Sequence, residues 1–491
     1  MSLFACNLGL NVVNFPETCA NNTDTDSKTN SKLLLISFDG FRWDYLDLVK
    51  KAGRNTPNFD YLIKRGVKSK RMRTTFTTST LPNHYSMATG MYQESHGIVG
   101  KEMFDPLFNE SFSKADIEST TKSFWWNNGT DDDGAEPIWI TNQKSKGKDE
   151  AKGLTKTKSK IKSENWSGVL FWVGSNMNIR GHRPHYFMNY DHLFPFKLRI
   201  DLTLIWFLGK VTPINLGMMY FPEPDEFGHA VGPESPLMID KIIELDELVG
   251  YLIQQLKEKD LFDQINIIIT SDHGLAQLKG SINIDDYVNS SLFSVYGGQT
   301  VWNILPNEGE EDNVYDALKK VPNLAVYRKR DIPEEFHYRY NRRILPILVV
   351  APEGYTLCTV GRNCSDKGGA HGYNNSLESM HAIFIAHGPS FRRGYEADTF
   401  DIVDIYPLIC KILNITPAPN NGSLANVRQL LRKPPKPLMQ LAAQHVTASN
   451  LSEYTPVLTI KITKLFIIVN LVQAFLLVVS CGIAVALIDM P

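Results

Sequence analysis

The sequence has few cysteines and no excess of charge of either sign. Six cysteines in 491 residues exclude a small scaffold held together by disulfides. A formal net charge of −2 excludes a surface that attracts nucleic acid as a whole, so we expect no nucleic acid polymer as a partner. Long hydrophobic runs are scarce, which excludes a membrane protein with several spans. A hydrophobic content of 43% and a charged content of 21% instead indicate a globular protein with a large core.

One long hydrophobic run lies near the end of the sequence, at residues 465–488. Its 24 residues carry no charge. As a helix it would be about 36 Å long, enough to cross a bilayer core. The run predicts a single membrane anchor, either a transmembrane helix or the hydrophobic tail of a GPI signal. Lys461 and Lys464 precede it and no Lys or Arg follows, which favours the GPI signal. Residues 433–464, rich first in Pro and then in Ser and Thr, predict a stalk.

Several features predict the secretory pathway and an extracellular domain at the cell surface. Ten acceptor sequences predict N-linked glycans, at Asn21, Asn109, Asn128, Asn165, Asn289, Asn363, Asn374, Asn414, Asn421 and Asn450. Cys358 and Cys364 are close enough in sequence to form a small disulfide loop, which suits an oxidising compartment. Cys410 lies in an apolar helical pattern and is interpreted as a buried thiol. Residues 1–31 lack a basic n-region, so we interpret this lead as a degenerate or truncated signal segment.

Short apolar runs alternate with amphipathic stretches along the middle of the chain. Residues 33–37, 215–221 and 265–270 predict buried strands, and residues 238–256 predict a helix. This alternation is typical of an α/β fold with a mostly parallel central sheet covered on both faces. Residues 144–163 hold eight lysines and little apolar content. They predict a solvated insertion or, alternatively, a polybasic site for anionic lipid or glycan.

Three carboxylates, Asp39, Asp225 and Asp272, each follow one of the predicted strands. Because the carboxyl ends of parallel strands meet at one edge of a sheet, we expect these side chains to converge. Three converging acids repel one another unless a cation holds them. The histidines that accompany them are His229, His273 and His371. Asp and His together form a ligand set that suits zinc.

Thr80 lies at the start of another predicted helix, which has Pro82 in its first turn. The free backbone N–H groups of a helix start favour an oxyanion or a phosphate. The Thr80 hydroxyl could therefore act as a nucleophile if a metal or a base activated it, and two zinc ions would supply that activation. Taken alone, the segment favours the alternative, in which Thr80 merely caps the helix.

Five segments occur in a fixed order: FDGFRWDYL, TLPNHYSMATGMYQESHGIV, EPDEFGHAVGP, SDHGLAQ and AHGYNN. Together they resemble the ectonucleotide pyrophosphatase/phosphodiesterase family, which belongs to the alkaline phosphatase superfamily. The resemblance runs from about residue 33 to residue 431 and is greatest to the short members four and five. It implies an alkaline-phosphatase-like three-layer α/β/α sandwich with a mostly parallel central sheet as the catalytic domain, residues 32–432, with the C-terminal hydrophobic segment beyond it.

Carried onto this sequence, the resemblance implies two zinc ions as cofactors. The ligand sets that it implies are Asp225, His229 and His371 for one ion, and Asp39, Asp272, His273 and the Thr80 oxygen for the other. Thr80 would attack phosphorus and form a covalent phospho-threonine intermediate, which water then hydrolyses. The resemblance therefore selects the nucleophile over the helix cap for Thr80.

Three further positions bear on substrate binding. Tyr190 matches an aromatic residue that stacks on the base in nucleotide-cleaving members, although an ordinary core or surface aromatic is the alternative. Leu81 stands where the family often has an aromatic residue, so one face of a base-binding slot is less aromatic here. Lys101 stands where the family usually has an asparagine that helps to hold a phosphate oxygen. A lysine either neutralises that oxygen as a point charge or points to solvent, and losing such a donor costs about 10²- to 10³-fold in rate.

The leading hypothesis is an extracellular, zinc-dependent nucleotide pyrophosphatase/phosphodiesterase that acts on small nucleotides through Thr80. One alternative is a phosphodiesterase for choline-type phospholipid head groups, although no segment specifies a pocket for a quaternary ammonium. The other alternative is a weakly active or inactive family member that serves as a surface binding protein, which Lys101 and the lysine-rich insertion would suit. Turnover distinguishes these readings and zinc content does not, because an inactive member can keep its metals.

Overall fold

The computed structural model describes residues 31–114, 122, 125–126, 135–145 and 165–432. Most of the N-terminal lead, most of the lysine-rich insertion, the stalk and the hydrophobic segment 465–488 lie outside these ranges. Within them, no helix has the length and apolar character needed to cross a membrane. The predicted domain boundaries and the single anchor stay predictions.

An eight-stranded sheet forms the centre of the fold. With strands numbered along the chain, its order is β19 (Tyr395–Ala397), β2 (Val67–Ser69), β18 (Phe384–His387), β9 (Ile265–Thr270), β1 (Lys32–Phe38), β8 (Leu216–Phe221), β6 (Ser167–Leu170) and β7 (Tyr186–Met188). The five strands from β9 to β7 are parallel, and β18 runs antiparallel to β9. The predicted mostly parallel sheet is confirmed.

Continuous apolar sequence builds the central strands. Every residue of β8 and of β9 is buried. Since successive side chains of a strand point to opposite faces, complete burial requires that both faces of the sheet be covered. Leu33 of β1 pairs with Leu216 on one side and with Asn266 on the other. This register brings the carboxyl ends of β9, β1 and β8 to the same edge.

Helices cover the sheet, and the predicted three-layer α/β/α class is confirmed. The helices within the described ranges are α1 (Tyr45–Lys51), α2 (Pro57–Arg65), α3 (Thr80–Thr89), α4 (Gln93–His96), α5 (Ile138–Lys144), α6 (Phe196–Phe207), α7 (Asp225–Val231), α8 (Pro236–Glu258), α9 (Glu311–Leu318), α10 (Ile405–Leu413) and α11 (Leu424–Val427). Helix α8, predicted over residues 238–256, packs on α1, α2 and α6, whereas α10 packs on α3, α5 and β1.

A smaller antiparallel sheet lies over a second hydrophobic cluster that includes Trp302 and Ile304. Its strands, in order, are β12 (Phe293–Gly297), β13 (Val301–Pro306), β15 (Ile347–Val350) and β14 (Ala325–Arg328). Paired two-stranded ribbons are β3 (Met72–Arg73) with β20 (Phe400–Asp401), β4 (Glu102–Asp105) with β5 (Glu110–Ser113), β10 (Ala276–Gln277) with β17 (Gly369–Ala370), and β11 (Gly280–Asn283) with β16 (Tyr355–Cys358). Cys358 and Cys364 form the predicted disulfide, and Cys410 is a buried free thiol, as predicted.

The β4–β5 hairpin is held to the rest of the fold by a buried ion-pair network. Asp105 accepts hydrogen bonds from Arg342 Nη2 at 2.7 Å and from Arg343 Nε at 2.8 Å. The side chains of Asp105 and Arg343 are fully buried. Because breaking such a pair would leave a buried charge unpaired, the network fixes the position of the hairpin. Lys101, immediately before β4, is fixed with it.

Candidate active site

The three predicted carboxylates converge at the carboxyl edge of the central sheet. Asp39 follows β1, Asp272 follows β9, and Asp225 begins α7 just after β8. All three side chains are buried. The loops are tied together by the backbone, because Asp225 N donates to Asp39 O at 3.1 Å. The backbone N–H of Gly40 donates to Asp272 Oδ1 at 3.2 Å. The prediction that these acids meet is therefore confirmed as geometry.

The three predicted histidines lie near the carboxylates, and a backbone hydrogen bond orients each imidazole ring. The Nδ1 atoms of His229, His273 and His371 lie 2.8, 2.9 and 2.9 Å from the backbone oxygens of Gly369, Gly274 and Thr78, respectively. A carbonyl oxygen only accepts, so each Nδ1 carries a proton, and each Nε2 presents a lone pair when that nitrogen is deprotonated. Metal-binding histidines are oriented in this way in proteins.

Among the described residues, two groups of donor atoms are close enough to hold a metal ion. In one group the ligand atoms of Asp39, Asp272 and His273 all lie within 4.8 Å of one another, and in the other those of Asp225, His273 and His371 do. His229 stands outside the second group, although its Nε2 is 3.2 Å from Asp225 Oδ2. The geometry thus places His273 between the two groups, whereas the resemblance assigns it to the Asp39 set and assigns His229 to the Asp225 set.

The carboxylates retain oxygens that no donor satisfies among the described residues. Asp39 Oδ1, Asp225 Oδ1 and Asp272 Oδ2 are buried and receive no hydrogen bond. A buried carboxylate oxygen without a donor is costly, and cation binding removes that cost. The donor set of carboxylates and Nε2 lone pairs therefore fits zinc.

The clustered carboxylates and histidines shift one another's pKa values. Burial, together with the neighbouring carboxylates Asp272 and Asp225, raises the pKa of Asp39 well above its ordinary value. Burial would raise the pKa of Asp225 too, but His229 and His371 outweigh it and hold that pKa far below the ordinary value. In return, Asp225 raises the pKa of His229 to about 9. Protons thus compensate the clustered acids in part, and a divalent cation would displace them.

Thr80 is the first residue of α3, and its side chain does not cap that helix. Ser79 occupies the N-cap position with an extended backbone. Thr80 Oγ1 instead lies 3.3 Å from His273 Nε2, so the hydroxyl faces the donor groups. His84, one turn further along α3, approaches the Thr80 carbonyl oxygen at 2.9 Å and Asp272 Oδ2 at 3.3 Å through Nδ1. The helix therefore holds the hydroxyl and Asp272 in a fixed relation.

A cavity of about 220 Å³ opens beside Thr80, Asp225 and His229. Lys101 and Lys114, from the two ends of the β4–β5 hairpin, also line it. Lys101 is half-buried and faces this cavity, which agrees with the first of its two predicted positions.

Of the two remaining candidate residues, Leu81 lines the cavity and Tyr190 lies outside it. Leu81 is buried and lines the same cavity. Tyr190 is not among the lining residues and is 49% exposed. Its ring lies 6.1 Å from that of Tyr220 and at 81° to that of Phe171, with 5.5 Å between the Tyr190 and Phe171 centroids. Tyr190 therefore presents a ring to solvent near the Asp39 side of the site, where a flat ligand can stack on it.

Tyr220 is a site residue that the sequence reasoning missed. Its hydroxyl donates to Asp39 Oδ2 at 2.5 Å, although Tyr220 lies inside the apolar run of β8. A tyrosine within a fully buried strand needs a hydrogen-bond partner, and this need was the available signal. Lys114 was missed for another reason, since only the hairpin pairing brings it beside Lys101.

Replacing Tyr220 with phenylalanine should weaken metal binding without unfolding the protein. The change removes the donor that orients Asp39, and losing such a partner typically costs about 10- to 100-fold in metal affinity. Competition with a chelator of known affinity measures the effect. Tyr251→Phe is the matched control, because that hydroxyl donates to Asp201, away from the site. Equal metal affinities for the two variants would contradict the role given to Tyr220.

Comparison with known proteins places this geometry among nucleotide-processing enzymes. The family described as "Type I phosphodiesterase / nucleotide pyrophosphatase" matches residues 33–374. Human ectonucleotide pyrophosphatase/phosphodiesterase family member 5 is 43% identical over 405 residues, covering 82% of this chain and 78% of that protein. The Mus musculus bis(5'-adenosyl)-triphosphatase enpp4 is 40% identical over 404 residues, covering 82% and 81%. A solved structure of murine ectonucleotide pyrophosphatase/phosphodiesterase 5, an inactive variant in complex with AMP, is also similar. It superposes with a TM-score of 0.73 at 41% sequence identity, and the match covers 82% of this chain and 100% of that chain.

Proposed function

The chain belongs to the type I phosphodiesterase/nucleotide pyrophosphatase family, and from that premise we propose that it hydrolyses phosphodiester or pyrophosphate bonds of small nucleotides at a two-zinc centre. The observation that carries the proposal is the placement of the Thr80 hydroxyl beside His273 and the orphaned carboxylate oxygens. The relatives support nucleotides as the substrate class, because one is named for hydrolysis of a dinucleoside triphosphate and another was solved with AMP.

Thr80 is the proposed nucleophile. The Thr80 hydroxyl gives up its proton to solvent, and its oxygen forms a bond to phosphorus. The bond from phosphorus to the leaving group breaks and the leaving group departs with the bonding electrons, which gives a covalent phospho-threonine intermediate. Water then breaks the bond to Thr80 and releases the phosphorylated product. The start of α3 presents free backbone N–H groups to the phosphoryl oxygens, and His84 helps to hold Thr80 in position.

Two zinc ions would supply the charge that stabilises the threonine alkoxide and the phosphoryl oxygens. We assign the ligand sets as the family resemblance implies them, with Asp225, His229 and His371 in one, and with Asp39, Asp272, His273 and Thr80 in the other. The fixed Nδ1–H tautomers support the three histidines as ligands. Tyr220 then orients Asp39, and Gly40 lies between Asp272 and Asp225.

We further place the enzyme at the cell surface, held by a single membrane anchor and carrying N-linked glycans. The acceptor asparagines within the described ranges are all exposed or half-buried, which supports the attachment of N-linked glycans. The Cys358–Cys364 disulfide also suits an oxidising compartment.

Turnover by the purified full chain tests the proposal. ATP, diadenosine triphosphate and the p-nitrophenyl ester of phosphocholine are compared at equal concentration. We expect both nucleotides to be cleaved with release of AMP, the activity to disappear with a chelator, and zinc to restore it better than Mg²⁺ or Ca²⁺. Faster cleavage of the phosphocholine ester would favour the choline-type alternative. No turnover of any substrate by folded, zinc-loaded protein would contradict the enzyme and favour the surface binding protein.

A further inference from the structure

Two lysine side chains share the cavity beside the proposed nucleophile. Lys101 and Lys114 flank the open end of the β4–β5 hairpin, and Lys114 N donates to Lys101 O at 2.9 Å. The first residue pair inside the hairpin is Glu102 with Ser113. Both lysines line the cavity together with Thr80, Asp225 and His229. The hairpin therefore delivers two ammonium groups to one side of the reacting hydroxyl.

Neither lysine has a carboxylate partner within the described part of the chain. The nearest acidic residue in sequence, Glu102, is bound by Arg362 Nη2 at 2.5 Å. Arg362 also donates to Val295 O at 2.8 Å and lies in the loop that the Cys358–Cys364 disulfide closes. Arg362 therefore competes with Lys101 for Glu102, whose charge still attracts the Lys101 ammonium group, and that group can bind a further anion.

The charges of the two lysines act on both groups of proposed metal ligands. Lys101 interacts electrostatically with Asp225 and His229, and Lys114 does so with Asp39. Burial is the largest influence on Lys101 and lowers its pKa, Glu102 opposes this effect, and the nearby Lys114 lowers the pKa further. Lys101 is half-buried and Lys114 is exposed, so the two like charges share a partly covered cavity, and an anion between them would relieve their repulsion. Divalent cations bound by the carboxylates would add to this positive charge, whereas Glu226, which also lines the cavity, would offset part of it.

Resting on the proposed function, we propose that Lys101 and Lys114 form a subsite for the phosphate groups of the leaving group. The subsite makes the enzyme prefer nucleotides whose leaving group is itself a phosphate chain, such as nucleoside triphosphates and dinucleoside polyphosphates. Esters whose leaving group carries no phosphate gain nothing from it. A lysine ammonium binds phosphate as a point charge. The lysine pair would therefore favour leaving groups with more phosphate charge and would not discriminate between nucleosides.

The test compares two substrates that differ only in the leaving group. ATP carries a phosphate chain there, and the p-nitrophenyl ester of AMP does not. The variants are Lys101→Asn, Lys114→Ala and the double variant, and the readout is the ratio of kcat/KM for ATP to that for the ester. Lys101→Asn keeps a hydrogen-bond donor and removes the charge. Lys50→Ala, an exposed lysine on α1, is the matched control.

We expect the ratio to fall about 10-fold in each single variant and about 100-fold in the double variant, as loss of one and two charge-assisted contacts predicts. The ratio should stay unchanged in Lys50→Ala. An unchanged ratio in the double variant, with wild-type protein active on both substrates, would overturn the subsite while leaving the proposed function intact.

Absence of turnover by the wild type on both substrates would instead contradict the proposed function, and binding then decides the subsite. Calorimetric titration of Thr80→Ala protein with ATP and with AMP measures the affinity added by the phosphate chain. Tighter binding of ATP that disappears when Lys101→Asn and Lys114→Ala are added supports the subsite. Equal binding of ATP and AMP by Thr80→Ala protein overturns it.

Discussion

Replacing Thr80 with alanine should lower kcat for nucleotide hydrolysis by about 10³-fold or more, because the covalent route through the threonine oxygen is lost. The alanine side chain lacks the hydroxyl oxygen that lies 3.3 Å from His273 Nε2 at the start of α3. The fold should not change, since Ser79, and not Thr80, occupies the N-cap position. Steady-state kinetics with ATP, together with a thermal unfolding curve, measures both consequences.

Thr80→Ser is the matched control for this prediction. It restores a hydroxyl at the same position in α3, so we expect activity closer to the wild type than to Thr80→Ala. Binding of AMP should survive in Thr80→Ala, because the phosphate still meets the helix start and the cavity lysines. Retention of more than a tenth of wild-type kcat in Thr80→Ala would contradict the role of nucleophile. Such a result would leave Thr80 as a residue of the helix start only.

The central part of the fold was predictable because its strands are long apolar runs. Residues 265–270 form β9 with the predicted bounds, and β8 differs from its prediction by one residue at its start. The strands β2, β18 and β19 at one side of the sheet were not predicted. They are three or four residues long, and their pairing depends on contacts far apart in sequence. The antiparallel sheet of β12 to β15 was missed for the same reason.

The convergence of the acidic residues was predictable because they follow strands that end at one edge. Asp39 and Asp272 needed no more than that rule. Residues that only position another site residue were not predictable, because their roles depend on contacts that form in the folded protein. Tyr220 meets Asp39 across β8 and β1, and Arg362 meets Glu102 only once the disulfide loop packs on the hairpin. The helix start at Thr80 was ambiguous in sequence because Ser79 and Thr80 are both good capping residues.

Gly40→Ala should lower kcat/KM by about 100-fold or more, because it would displace the carboxylate of Asp225, a proposed metal ligand, by up to about an ångström. A Cβ atom at Gly40 would lie 2.7 Å from Asp225 Oδ1 and 2.8 Å from Asp225 Cβ. Asp225 is also held by the backbone bond to Asp39, so it cannot move away independently. Metal content and kcat/KM of the purified variant measure the displacement.

Gly53→Ala separates this contact from backbone strain. Both glycines have positive φ, +64° for Gly40 and +73° for Gly53, and a non-glycine residue there costs on the order of 1 kcal/mol of stability. At Gly53, however, no atom lies within 4 Å of the added Cβ. We therefore expect similar losses in the free energy of unfolding from backbone strain in the two variants, but loss of activity and metal only in Gly40→Ala. Equal activity in the two variants would mean that Asp225 tolerates the shift, and the tight approach of Gly40 would then have no part in holding the metal.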